Sequence, residues 1–206
     1  MITLEEYLKA PCGTLSIPYW KWSSMSLPNN IRIMHNRECE NEDMEKGEQY
    51  FRLKHDLQKL PALAIGGCEI ATAEQEDFKD ICNVINQCYT DVNMTMQKLQ
   101  KLTVTPVYDP SLWIVARKRS GGRIIGCAIG DLDCICREGI LEWVQVLPEY
   151  RRQGIGTLMV STLLERMSGK ASFATVSGRV DNRTNPEKLY RKCGFSGDDI
   201  WHIVRT

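Results

Sequence analysis

Glu142-Trp143-Val144-Gln145-Val146-Leu147-Pro148-Glu149-Tyr150-Arg151-Arg152-Gln153-Gly154-Ile155-Gly156-Thr157-Leu158-Met159 is the stretch on which the reading of this chain turns. Its first third reads as a buried-type strand, carried by Trp143, Val144, Val146 and Leu147, and Pro148 stops it. A polar turn follows, and Gly154-Ile155-Gly156-Thr157 opens an amphipathic helix carried by Ile155, Leu158, Met159, Thr162, Leu163 and Met167. A strand, a tight turn and a helix start in this order aim several backbone N–H groups outward. These have no partner inside the helix, and the helix dipole favours negative charge there. The glycines let phosphate oxygens come close to the backbone, and Arg151 and Arg152 add charge-assisted donors. The segment therefore reads as a pyrophosphate site. It is not a P-loop, since no Gly-Lys-Ser/Thr is present. It is not a dinucleotide fingerprint, since Met159 stands where a third small residue is required. The bland alternative is a turn with glycines for helix–strand packing. The arginine pair and the strand-to-helix context favour binding.

Working outward, the elements from Cys68 onward are regular. A short strand, Glu69-Ile70-Ala71, precedes a capping box formed by Thr72 and Gln75. Phe78, Ile81, Cys82, Ile85, Cys88 and Tyr89 then recur at helical spacing, and a weaker helix covers Met94–Leu102. Strands follow over Leu112–Ala116, Arg123–Ile129 and Ile140–Leu147, the first two joined by a turn at Lys118–Gly122. After the central helix come a strand over Ser172–Val180, a short helix over Pro186–Lys192 with Gly194 as its stop, and a closing strand over Ile200–Val204. The order β, α, α, β, β, β, α, β, α, β predicts a mixed α/β fold: a mostly antiparallel central sheet flanked by helices. Residues 1–67 are irregular by comparison. They hold four prolines, an acidic polar stretch from Glu38 to Glu48 and one expected strand over Tyr50–Leu57. The chain thus reads as an extension, residues 1–67, followed by a regular domain, residues 68–206.

Here the match to a known family becomes specific. Arg151-Arg152-Gln153-Gly154-Ile155-Gly156 resembles the acetyl-CoA signature of the GNAT N-acetyltransferase superfamily, Arg/Gln-x-x-Gly-x-Gly/Ala. Asn182, followed by Leu189-Tyr190-Arg191-Lys192-Cys193-Gly194-Phe195, resembles the family's second motif, Asn-x-x-Ala-x-x-Leu-Tyr-x-x-x-Gly-Phe. One departure is Pro186, where the family usually has alanine; a proline in a first helical turn is tolerated. The resemblance covers about residues 68–206. It implies the acyl-CoA N-acyltransferase fold, acetyl-CoA as co-substrate and direct attack of a primary amine on the thioester in a ternary complex.

That chemistry asks for a proton acceptor for the amine, a donor for the developing oxyanion and a donor for the leaving thiolate. The resemblance assigns the thiolate to Tyr190, whose phenol is able to donate. It assigns cofactor contacts to Val146, Arg151, Arg152, Gln153, Gly154, Ile155, Gly156, Thr157 and Asn182, with the oxyanion donor a backbone N–H near Val146. Glu142 is the candidate base. By strand parity it shares a face with Val144 and Val146, and apolar neighbours raise the proton affinity of a carboxylate. The competing readings are plain. Tyr190 packs its ring on the sheet, Asn182 closes a turn or caps a helix, Glu142 sits in an ion pair, or ordered water takes the proton. Asp131 and Asp133 read as a solvated loop, His202 as a hydrogen-bonded structural histidine, and Tyr19, Trp20 and Trp22 as packing residues. Cys193 is not expected to act as a nucleophile.

Composition narrows the partners. Twenty-six basic and 26 acidic side chains cancel in the 206 residues, so bulk electrostatic binding to nucleic acid or an anionic membrane is not expected. The nine cysteines have no Cys-x-x-Cys spacing, and the three histidines have no ligand spacing, so no metal site is expected. Met1–Ala10 carries Glu5 and Glu6 and lacks the apolar run of a signal peptide, and no apolar run approaches the length of a spanning helix. The expectation is a cytoplasmic enzyme with reduced thiols, monomeric or homodimeric. Its acceptor is a small-molecule or peptide amine. A CoA-binding protein without transfer activity, another acyl group, and a protein N-terminus or lysine as acceptor stay open.

Overall fold

The computed structural model describes residues 2–39, 47–62, 67–89 and 92–205. In chain order its helices are α1 (Leu4–Lys9), α2 (Pro11–Thr14), α3 (Tyr19–Ser24), α4 (Phe78–Cys88), α5 (Met96–Leu102), α6 (Ile155–Met167) and α7 (Pro186–Lys192). Its strands are β1 (Ile31–His35), β2 (Glu48–His55), β3 (Cys68–Thr72), β4 (Tyr108–Lys118), β5 (Ile124–Asp133), β6 (Glu138–Val146), β7 (Phe173–Arg179) and β8 (Ser196–Arg205). The pairings β1–β8, β2–β8, β3–β4, β4–β5 and β5–β6 are all antiparallel. This is the mixed α/β, mostly antiparallel class that the element order predicted. From β3 to β8 the elements come in the predicted order, and α7 has the predicted ends. The acidic stretch Glu38–Glu48 lies largely outside the described residues. Among the described residues, no helix is long and apolar enough to cross a membrane.

The chain divides into two compact units, Leu57–Ala174 and Met1–Asp56 with Thr175–Thr206. In the first, β3, β4, β5 and β6 are hydrogen-bonded in that order. Phe78, Ile81 and Ile85 of α4 and Leu99 of α5 pack with Trp113, Val115, Cys127 and Ile129 from one face of these strands. The other face carries α6, and its glycines are fitted to two methionines of that helix. A Cβ on Gly126 would stand 3.2 Å from Met159 Cε, and one on Gly139 would stand 2.5 Å from Met167 Sδ. The expected capping box moves along the chain. Thr72 is the last residue of β3, paired with Ile114, and the box joins Glu74 to Asp77. Asp77 also receives Arg117 Nη2 at 2.6 Å, which ties the start of α4 to β4.

In the second unit β8 runs between β1 and β2, with Ile203 opposite Ile33 and Trp201 opposite Tyr50. The extension is therefore more ordered than its prolines suggest: among its described residues it supplies two strands and three short helices. Buried polar groups hold it together. Arg52 Nη2 donates to Tyr7 Oη at 2.9 Å, and Trp201 Nε1 donates to Cys12 O at 2.7 Å. His202 Nε2 lies 3.1 Å from Asn36 Oδ1, the structural role expected of it. Tyr19 packs its ring 5.4 Å from that of Tyr7.

Candidate active site

The site is built from β6 downward. Leu147 N–H donates to Ile125 O at 2.9 Å, and Gln145 lies opposite Cys127. In an antiparallel ladder the bonded pairs alternate, so Leu147 and Gln145 spend their backbone groups on β5. Val146, between them and opposite Gly126, turns its N–H and C=O away from β5. Its carbonyl accepts from Arg151 Nε at 2.9 Å and from Cys88 Sγ at 3.4 Å. Burial pushes the Cys88 thiol up, and the neighbouring Arg151 guanidinium works against that shift.

Pro148 to Tyr150 form one 3-10 turn. The chain then passes through two left-handed residues, Arg152 at φ 63° and Gly154 at φ 82°. Such a conformation costs a residue with a Cβ about 1–2 kcal/mol, so the turn tolerates strain at Arg152 and needs glycine at 154. The first intrahelical bond of α6 runs from Leu158 N–H to Gly154 O at 2.9 Å. The N–H groups of Ile155, Gly156 and Thr157 precede it and project from the helix start, as the sequence requires. A Cβ on Gly154 would meet nothing within 4 Å. The turn is thus open where an anion would approach, and its donor set suits a pyrophosphate. Arg152, Gln153 and Gly154 are exposed. Arg123 closes the outer side, with Nη2 3.3 Å from Glu149 Oε1 and its guanidinium 5.9 Å from the Tyr150 ring centroid.

Glu142 is half-buried, and parity fails to place it. Leu141 pairs with Gly130 and Trp143 with Ile129, so Glu142 is the extra residue of a β-bulge. A bulge breaks the two-residue alternation. Leu141 falls on the α6 face, as its partner Gly130 does, while Trp143 falls on the α4 face with Ile129. Counting back from Val146 and Val144 therefore does not carry through to Glu142. The reading of Asp131 and Asp133 as a solvated loop is also corrected. Both lie in β5 and are buried, and Asp133 Oδ1 closes the following hairpin by accepting from Ile135 N–H at 2.8 Å and Cys136 N–H at 3.1 Å. The strand continues through them because Ile140 and Glu138 of β6 stand opposite.

The residues of the second motif lie in the other unit. Tyr190 is buried on α7, with ring centroids 6.2 Å from Phe51 and 5.9 Å from Phe195. Asn182 folds back on its own turn, its Oδ1 accepting from Thr184 N–H at 2.9 Å and Thr184 Oγ1 at 2.8 Å. The cap of α7 is Asn185, whose Oδ1 accepts from Lys188 N–H at 3.3 Å, and Pro186 takes the first helical position. Cys193 is buried at the end of α7. Sequence reasoning placed Cys88 and Tyr89 only on an apolar helix face and gave Gln145 no role. In the structure all three meet beside Val146, since Gln145 Nε2 donates to Tyr89 Oη at 2.9 Å.

Comparison with known proteins follows the same lines. A family model described as an acetyltransferase (GNAT) domain matches residues 109–197. No curated protein matches the sequence. Among solved structures, the GCN5-related N-acetyltransferase from Sphaerobacter thermophilus is similar at 17% identity, over 87% of this chain and 61% of that one, with a TM-score of 0.70. Ard1 from Thermoplasma volcanium is similar at 18% identity, over 68% of this chain and 99% of that one, with a TM-score of 0.55. The ribosomal-protein-S18-alanine N-acetyltransferase from Escherichia coli is similar at 17% identity, over 67% and 93%, with a TM-score of 0.53. At these identities the likeness is one of fold, and the chain spans about three fifths of the Sphaerobacter protein. The family-model match covers both motifs and the turn between Leu147 and Gly156: residues 109–197 match the model of a GNAT acetyltransferase domain.

Proposed function

We propose that the chain moves an acetyl group from acetyl-CoA to a primary amine by direct attack in a ternary complex. The observation that carries this reading is the turn from Leu147 to Thr157. Its left-handed glycine, its open space and its projecting N–H groups suit a pyrophosphate, and they follow directly on a strand whose Val146 amide faces away from β5. Bound acetyl-CoA would supply an activated thioester. The chain's residues do the rest. The N–H groups of Ile155, Gly156 and Thr157 hold the pyrophosphate, with Arg152, Gln153 and Gly154 lining the turn. Arg151 braces the turn through Val146 O. Val146 N–H stabilises the negative charge that develops on the acyl oxygen. Glu142, at the bulge in β6, takes the proton the amine loses. For Tyr190 the role follows the resemblance, a proton for the leaving thiolate, and for Asn182 a cofactor contact.

The same reading takes the protein as cytoplasmic, monomeric or homodimeric, and acting on a small-molecule or peptide amine. Residues 68–206 serve as the transferase domain, and residues 1–67 add a strand or lid for the acceptor. The test is thiol release from acetyl-CoA across amino acids, polyamines, aminoglycosides and peptides. Turnover with an amine and an acetylated product are expected. Tight acetyl-CoA binding with no turnover for any acceptor would make the protein a non-catalytic binder. Failure to bind acetyl-CoA would end the reading.

A further inference from the structure

The two halves of β6 differ. Glu138, Gly139, Ile140 and Leu141 are buried, while Glu142 to Val146 are all half-buried, so both faces of the strand open after the bulge. On the α4 face of that open half stand Trp143 and Gln145, and both are joined to Tyr89, the first residue beyond α4. The Trp143 and Tyr89 rings meet edge to face, with centroids 5.8 Å apart and planes at 90°. Gln145 Nε2 donates to Tyr89 Oη at 2.9 Å. Behind Tyr89, Asn86 closes the loop that leads to α5. Its Nδ2 donates to Met94 O at 2.9 Å, and its Oδ1 accepts from Met94 N–H at 2.7 Å. Two half-exposed rings are thus fixed at a right angle from two sides, on the rim of the apolar cluster formed by α4, α5 and the strands.

This rim is continuous with the turn assigned to the cofactor, because Val146 follows Gln145 directly. On the acetyltransferase reading, an acceptor reaching an acyl group held along β6 would meet these rings. Their chemistry is selective. Two perpendicular ring faces suit a flat, apolar body, which stacks on one ring and meets the edge of the other. The open half of the strand bears one carboxylate, Glu142, the residue before Trp143 in the chain, which matches one ammonium group rather than several. We infer that Trp143 and Tyr89 select the acceptor, with Gln145 positioning Tyr89, and that the substrate class is a monoamine with its amino group a short alkyl chain from a flat apolar ring. The identity of this ligand as the acceptor rests on the acetyltransferase reading. Recognition of the ring does not.

The experiment measures binding and turnover separately on the full chain, with CoA present, for phenethylamine, for a short peptide with an N-terminal phenylalanine, and for spermidine. Ring-bearing amines are expected to bind at least about tenfold tighter than spermidine. The better of the phenethylamine and peptide arms identifies the source of the ring. Trp143→Ala should weaken the preferred amine about tenfold and leave acetyl-CoA affinity unchanged, and Trp143→Phe should recover most of the loss. Gln145→Met should raise KM for that amine with kcat held, as expected of a positioning residue. Should Trp143→Ala not fold, Tyr89→Leu carries the same readout. Equal or tighter binding of spermidine, or unchanged ring-amine affinity in the folded Trp143 or Tyr89 variant, overturns the inference. Ring-amine binding without thiol release removes the acetyltransferase reading and leaves the inference standing. Thiol release with spermidine alone does the reverse.

Discussion

Gly154→Ala separates the two readings of the turn, because its structural and binding costs have different sources. Gly154 sits at φ 82°, where a residue with a Cβ pays about 1–2 kcal/mol. No clash adds to this, since the new Cβ meets nothing within 4 Å. In a chain of this size each kcal/mol lowers Tm by about 2–4 °C, so a fall of about 2–8 °C is expected. The methyl group stands where, on the cradle reading, a phosphate comes close to the N–H groups of α6. Acetyl-CoA affinity should therefore fall at least about tenfold, or about 1.4 kcal/mol, beyond the folding cost. The control is at the other end of the same helix. Gly169 has φ 84° and the same open space, so Gly169→Ala carries an equal backbone penalty and has no reason to affect the cofactor. Thermal unfolding and acetyl-CoA titration by calorimetry read both quantities on both variants. Equal Tm losses with the affinity loss confined to Gly154→Ala are expected. If Gly154→Ala loses stability but binds acetyl-CoA as the wild type does, the glycine serves the turn alone and the cradle reading is refuted.

Three further outcomes are open to measurement. Glu142→Gln should lower kcat about 100-fold or more; a kcat equal to wild type leaves the proton to water. Gly139→Ala should cost about 2 kcal/mol by driving its Cβ onto Met167 Sδ, and adding Met167→Ala should make the glycine substitution nearly neutral; urea unfolding that shows the same cost in both backgrounds counts against the packing argument. His55 packs edge-on against Phe195, and burial lowers its pKa from 6.5, with Asp56 and the Cys193 backbone opposing. The unfolded chain therefore takes up the proton first, so stability is full above about pH 6.5 and falls as pH drops through the folded value. Unfolding midpoints for wild type and His55→Gln at about pH 7.5 and about pH 5 measure that contribution, and an unchanged pH slope in the variant would exclude His55 as its source.

What the sequence made legible was whatever is settled within a few residues. The ends of α7 follow from Pro186 at the first helical position and Gly194 just past the stop, signals that act through backbone conformation alone. The turn at Gly154 is legible for the same reason. What depends on a distant partner was not legible. β1 looks irregular on its own and becomes a strand because β8, from the far end of the chain, pairs with it. Asp131 and Asp133 look like loop residues until β6 lies opposite. The bulge at Glu142 exists only as a mismatch of register between β6 and β5, and strand parity, a rule about one strand, has no access to it. Tyr89 and Gln145 are 56 positions apart, so neither announces the other. The same distinction applies to Val146: its amide is turned away from β5, and that direction is set by the bond from Leu147 to Ile125, not by the side chain at 146.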